Sequence, residues 1–222
     1  MDPVGTKDDP NLYGYVGNDP VNTVDPTGRT GWAIAFRDQK INGSGTSTRA
    51  LGHAGFIYID DKTGATSYWE WGRYVENNPG SPRGSLNMRH VPDLVLAEGG
   101  GFTEQSVERL MVAVAEIGAQ SGSYDIQIVS DRNVDDESGI RERAAEYHSF
   151  GQYDELARNC GSFVIEMFLS GGGRASDPRA VLSPIPNTSI PGLYGDRYRI
   201  MAGEGREEAA EEFATRSRER NR

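Results

Sequence analysis

Two residues whose types support nucleophilic chemistry stand at the starts of two predicted elements. Cys160, the only cysteine, opens a predicted helix, and His53 opens a predicted strand. Asn159 precedes Cys160 and is a favoured type at the position before a helix. In a first helical turn, unpaired backbone N–H groups and the helix dipole favour the thiolate, which is the nucleophilic form of cysteine. Histidine can hold or take the proton of such a thiol, so the pair predicts acyl transfer.

Each of these residues also has a structural interpretation. Free cysteine is among the most frequently buried residue types, so Cys160 taken alone is also consistent with a core position. A lone histidine at the end of a strand is usually structural or solvated. A histidine that opens a strand, together with a cysteine that opens a helix, is a more specific pattern.

The strand that follows His53's strand supplies a candidate third residue. The strand of His53 runs from about residue 52 to 59, and the turn DDKTGA returns the chain into a second strand over 66–74. A polar side chain on this second strand could orient the imidazole. Glu70 is the best candidate and Ser67 the weaker one. An ordinary exposed carboxylate is an equally good interpretation of Glu70.

The remaining elements predict an α+β fold in which an antiparallel sheet packs against helices. Apolar residues at helical spacing follow Cys160, and a second apolar stripe lies over 103–119. Further strands are predicted over 32–36, 124–129 and near 194–201. Residues 77–89 are rich in Asn, Pro, Gly and Ser and are predicted to be a loop, with a short edge strand from His90. Residues 204–222 are predicted to be a charged helix or a frayed tail, whose function is most simply solvation.

Composition and charge narrow the classes of function. The chain has 222 residues and a net charge of −10, which argues against nucleic acid as a partner because phosphate binding needs a basic surface. One cysteine excludes an internal disulfide. No run of residues is long enough to span a bilayer. No metal-ligand spacing and no cofactor motif is found, so neither a metal nor a cofactor is expected.

The first 28 residues resemble the end of the core of Rhs-repeat polymorphic toxins. The motif Asp-Pro-x-Gly occurs at 2–5 and again at 25–28, with NLYGYVGNDP between the two copies. In that family these motifs close a large β-shell around a toxin, and the chain cuts itself after the second motif. The resemblance implies that Asp2 and Asp25 form the autocleavage pair and that the cut falls between Gly28 and Arg29. Paired carboxylates can share a proton and act as acid and base.

The rest of the chain resembles the circularly permuted NlpC/P60-like branch of the papain-like fold. GHAGFIYID is similar to that group's histidine strand, and YDELARNCGSFV is similar to its cysteine helix. The resemblance implies that Cys160 is the nucleophile, His53 the base and Glu70 the orienting residue. The expected domains are the end of an Rhs core at 1–28, a papain-like toxin at 29–202 and a charged tail at 203–222.

Together the two resemblances imply a secreted effector toxin that acts as a cysteine peptidase, amidase or deamidase. Its expected partners are a cognate immunity protein, the Rhs shell and a secretion apparatus of the type VI kind. It would act inside a target cell, in the cytoplasm rather than the periplasm. The alternatives are a toxin of another chemistry, such as ADP-ribosyl transfer, and a non-enzymatic binding module.

Overall fold

The computed structural model describes residues 28–41, 49–50, 52–72, 84–154, 157–183, 185–201 and 204–219. Within these ranges the chain forms a large sheet, a two-stranded ribbon and a set of helices. The strands are β1 (Arg29–Phe36), β2 (Lys40–Ile41), β3 (Arg49–Ala50), β4 (His53–Asp60), β5 (Thr66–Gly72), β6 (Ser85–Arg89), β7 (Asp125–Asp131) and β8 (Asp196–Met201). The helices are α1 (Glu104–Gln120), α2 (Glu137–Phe150), α3 (Cys160–Ser170), α4 (Arg179–Leu182), α5 (Pro186–Ser189) and α6 (Arg206–Glu219).

The large sheet has six antiparallel strands in the order β6-β5-β4-β1-β7-β8. Strands β1 and β4 lie at its centre and are buried along almost their whole length, since helices cover both faces. The predicted α+β class, with an antiparallel sheet packed against helices, is confirmed.

Alternate residues of the sheet pack into two separate cores. On one face Trp32, Ile34 and Phe36 pack with the apolar stripe of α1 and with α6. On the other face Ala33 and Ala35 pack with α2 and α3. This alternation follows from the two-residue period of a strand, which sends successive side chains to opposite faces. The result is a helix–sheet–helix sandwich in which α3, the helix that begins at Cys160, packs against β4 and β5.

The predicted loop over 77–89 and the edge strand from His90 are wrong where the structure describes them. Strand β6 occupies Ser85–Arg89 and pairs with β5 at one edge of the sheet, whereas residues 90–95 are not in a strand. The proline at position 92 cannot donate a ladder hydrogen bond, which disfavours a strand there. Strand β6 was not predicted from the sequence because it contains polar residues. These residues are accommodated in the sheet because they bind other polar groups there.

The charged C-terminal segment forms the helix that was one of the two expectations, but one face of this helix is buried rather than solvated. Helix α6 buries Ala209, Ala210, Phe213 and Ala214 against α1 and the sheet. The ring of Phe213 lies edge-on to Trp32, with 4.9 Å between ring centroids. The helix is therefore part of the core, although its remaining residues are charged.

Candidate active site

The pairing of β4 with β5 brings His53 and Glu70 together. In the antiparallel register Gly55 lies opposite Glu70, and His53, two residues earlier on β4, points to the same face. The His53 Nε2 atom is 3.2 Å from Glu70 Oε2. Ser67, the weaker candidate for the third position, pairs with Tyr58 and points to the opposite face of β5 from Glu70. The register thus selects Glu70 as the neighbour of the imidazole.

A glycine leaves room for a second contact to Glu70. Tyr68 lies over Gly55 and donates its hydroxyl to Glu70 Oε2 at 2.8 Å. A Cβ atom on Gly55 would lie 2.4 Å from the Tyr68 hydroxyl oxygen, so a larger residue would displace the ring. Close packing within the site therefore explains the second glycine of GHAGF, Gly55.

Strand β6 holds the other carboxylate oxygen. Asn87 Nδ2 and Arg89 Nε each donate to Glu70 Oε1 at 2.8 Å. Glu70 is 1% exposed, so its charge is buried among these donors. Sequence reasoning missed Asn87 and Arg89 because they lie in the predicted loop. The signal available was the alternation of Leu86 and Met88 with these two polar residues, which is the two-residue period of a strand.

The charges of the site stabilise one another. Burial opposes ionisation of Glu70, but hydrogen bonds from His53, Arg89 and Tyr68 outweigh it and lower the pKa of the carboxyl to about 2. Burial likewise opposes the charged imidazole, but the Cys160 sulfur and Glu70 raise the pKa of His53 to about 10. At neutral pH His53 is therefore protonated, and it lies between the Glu70 carboxylate and the Cys160 sulfur.

Cys160 is held at the N-terminus of α3 by a capping box. The Asn159 side chain accepts from the backbone N–H of Ser162 at 3.0 Å, and the Ser162 hydroxyl contacts the backbone N–H of Asn159 at 3.0 Å. The Trp71 indole donates to the carbonyl of Arg158 at 3.3 Å, which attaches the segment before the helix to β5. Cys160 is 2% exposed and contacts His53.

The imidazole is fixed from its own strand and from β1. His53 pairs with Phe36 of β1, and the two rings are stacked with 6.0 Å between centroids. Gly52 precedes His53 with a φ of +78°, and a Cβ atom there would lie 2.5 Å from the Asn187 side chain. A glycine is therefore required immediately before His53, both by its backbone conformation and by the approach of α5.

The predicted autocleavage residues are divided by the limits of the described chain. Asp2 and Asp25 lie outside the described residues. Gly28 is described, and its carbonyl accepts from the backbone N–H of Asp61 at 2.9 Å. Arg29 is the first residue of β1 and lies 3.5 Å from Glu137.

Two further findings concern metals and membranes. Within the described ranges, no group of three or more His, Cys, Asp or Glu side chains is arranged to hold a metal ion. Among the helices that can be described, none is long and apolar enough to cross a bilayer.

Comparison with known proteins gives one family and one solved structure. The family model described as type VI secretion system effector TseH-like matches residues 20–175. The fold is similar to that of the crystal structure of the type VI secretion system effector TseH, with a TM-score of 0.58 and 23% sequence identity. The similarity covers 79% of this chain and 100% of that chain. No curated protein matches the sequence.

Proposed function

Because the chain belongs to the TseH-like family of type VI secretion system effectors, it is a secreted effector, and we propose that it is a cysteine hydrolase. The observation that supports this proposal most is the buried series of Cys160, His53 and Glu70. In it one imidazole contacts both a sulfur and a carboxylate, with 3.2 Å between Nε2 and Glu70 Oε2. A nucleophile, a base and an orienting group in contact are the arrangement that nucleophilic catalysis requires.

The first chemical step follows from the charges of the site. In the proposed reactive state the imidazole of His53, which contacts the sulfur, holds the Cys160 proton, so the sulfur acts as a thiolate. The thiolate attacks the carbonyl carbon of an amide or ester, and the carbonyl oxygen becomes an oxyanion. Since Nε2 faces Glu70, Nδ1 is the ring nitrogen available to the sulfur and to the leaving group.

The start of α3 is suited to stabilise the oxyanion. A helix leaves its first N–H groups without partners inside the helix, and the capping box uses that of Ser162. The backbone N–H of Cys160 remains at the positive end of the helix dipole. His53 then protonates the leaving amine or alcohol, and water resolves the thioester with His53 as its base. Glu70 stays ionised throughout and orients the ring.

We also propose that the domain is a permuted relative of the papain-like fold. The order of the elements supports this interpretation, because the strand of His53 and the strand of Glu70 precede the helix of Cys160 along the chain. In the unpermuted arrangement the cysteine helix comes first.

The remaining sequence predictions concern delivery. Secretion as an effector was expected and is confirmed by the family match. We propose that residues 1–28 are the end of an Rhs core, that Asp2 and Asp25 cut the chain between Gly28 and Arg29, and that a cognate immunity protein protects the producing cell. We propose the cytoplasm of the target cell as the place of action.

A toxicity assay tests the proposed hydrolase. The full chain, Cys160→Ala and His53→Ala are expressed in a bacterial host, each directed to the cytoplasm or to the periplasm. His90→Ala is the control, because His90 is an exposed histidine outside the site. The unchanged chain and the control are expected to kill, and the two site variants, if folded, are expected not to. Killing by folded Cys160→Ala would exclude the thiolate mechanism. The compartment that is affected then tests the proposed location.

A further inference from the structure

Resting on the hydrolase proposed above, we propose that Arg89 is a positioning residue whose charge makes the buried Cys160–His53–Glu70 cluster neutral and so sets the pH at which Cys160 becomes reactive. Arg89 does not touch a reacting atom. It acts through Glu70, to which its Nε donates at 2.8 Å. Its other end donates from a terminal guanidinium nitrogen to the Gln120 side chain of α1 at 2.9 Å, which holds the guanidinium across the edge of the sheet.

This inference rests on the net charge of the buried Cys160–His53–Glu70 cluster. In the reactive state the thiolate is negative, the imidazolium positive and the Glu70 carboxylate negative, so the three together carry one negative charge. Glu70 is 1% and Cys160 2% exposed, and an uncompensated charge in such a place is costly. Arg89 supplies one positive charge, which brings the net charge of the cluster to zero. Its guanidinium cannot be deprotonated in a protein, so this compensation holds at every accessible pH.

The other groups that face Glu70 do not replace this charge. From β4 comes His53, whose charge is already counted. From β5 comes the hydroxyl of Tyr68, and from β6 the amide of Asn87, both of which are neutral donors. From α3 comes Cys160, which acts on Glu70 through His53. Among the described side chains with these contacts, Arg89 is the compensating cation.

The direction of the effect follows from electrostatics. Without Arg89, forming the thiolate leaves a net negative cluster, so Cys160 becomes reactive only at a higher pH. Without the Glu70 charge, the cluster is net positive and Cys160 becomes reactive at a lower pH. Removal of both charges restores the balance. Mere loosening of the site would not produce shifts of opposite sign that cancel.

The test uses alkylation of the full chain by iodoacetamide between pH 4 and 9, followed by intact mass. The chain has one cysteine, so any alkylated cysteine is Cys160. The quantity compared is the midpoint pH at which the alkylation rate reaches half its plateau. The variants are Arg89→Gln, Arg89→Lys, Glu70→Gln and the double variant Glu70→Gln/Arg89→Gln. Arg199→Met is the control, since it removes an exposed arginine that pairs with Asp125 on β7, away from the β6 edge.

The expected results distinguish charge from shape. We expect Arg89→Gln to raise the midpoint by about 0.5 pH unit, a modest shift because Arg89 is partly exposed and screened by solvent. Arg89→Lys and Arg199→Met should leave the midpoint unchanged, Glu70→Gln should lower it, and the double variant should return to the unchanged value. Equal midpoints in Arg89→Gln and the unchanged chain, or shifts of the same sign in Arg89→Gln and Glu70→Gln, would overturn the proposal.

Two further comparisons distinguish failure of the Arg89 proposal from failure of the proposed hydrolase. If Arg89→Gln does not fold, the downward shift in Glu70→Gln and its reversal in the double variant decide the question. Alkylation of His53→Ala tests the proposed hydrolase itself. If that variant has the same profile as the unchanged chain, Cys160 and His53 are not coupled and the hydrolase proposal fails, whatever Arg89 does.

Discussion

Replacing Glu70 by glutamine removes a buried charge with little change of shape, and its cost should depend on pH. The pKa of Glu70 is lowered from its usual 4.5 to about 2 in the folded chain. A lowered pKa means that the carboxylate stabilises the fold above pH 4.5 and loses this contribution as the pH falls toward 2. The displacement corresponds to roughly 3 kcal/mol of unfolding free energy at pH 7.

The pKa of His53 is raised by Cys160 and also by this contact with Glu70, so the share due to Glu70 is the same interaction and is not counted twice. At pH 3 most Glu70 carboxyls of the unfolded chain are protonated, and the contribution falls to about 1 kcal/mol. Glu70→Gln should therefore destabilise the fold strongly at pH 7 and weakly at pH 3. The pH dependence separates the charge from any effect of the amide on packing.

Urea unfolding at pH 7, 5 and 3 measures this difference for the unchanged chain and Glu70→Gln. Glu212→Gln is a matched control, because Glu212 forms an exposed ion pair with Arg216 on α6 and should change stability by no more than about 1 kcal/mol. A loss of stability in Glu70→Gln that is the same at all three pH values would refute the assignment of a buried, ionised carboxylate.

Three further substitutions test the packing that supports the site. Gly55→Ala should displace Tyr68 and cost about 1–3 kcal/mol by overpacking, with slower alkylation of Cys160; unchanged stability in urea would contradict the close approach of 2.4 Å. Asn159→Ala should cost about 1 kcal/mol through loss of the α3 cap, measured by thermal unfolding, and an unchanged midpoint would speak against the capping box. Phe213→Ala should cost about 3–5 kcal/mol because the ring is buried in the core, and a loss below 1 kcal/mol in urea would show that α6 is a solvated tail after all.

Glu70 and Cys160 show how much of the candidate site could be predicted from the sequence. His53 and Glu70 lie on two strands joined by a short turn, and a hairpin pairs its strands in a register that the turn restricts. Their meeting was therefore predictable. Cys160 could be placed at a helix start from its neighbours, but its contact with His53 depends on how α3 packs on the sheet. No local pattern encodes that packing, and the resemblance to a known family was needed to suggest it.

The role of Arg89 and the burial of α6 were not predicted, for physical reasons of a different kind. Strand prediction depends on apolar alternation, and β6 uses its inward positions for Asn87 and Arg89, which bind a buried carboxylate. Helix α6 buries mainly alanines, which contribute little to an apolar stripe, so Phe213 stood alone in a charged segment. Burial is difficult to predict for polar groups that hydrogen-bond to a buried charge. It is equally difficult to predict for small residues that allow close helix packing.

The hairpin of β4 and β5 restricts how related sequences can change in length. The turn between His53 and Glu70 restricts the register of the two strands, so a change in its length is tolerated only where that register is kept. Within β5, however, insertion or deletion of one residue before Glu70 would send its carboxylate to the other face and bring Trp69 or Trp71 toward the imidazole. Relatives that keep this chemistry should therefore preserve an even spacing between Tyr68 and Glu70. Changes in length should be confined to turns that keep the same strand register.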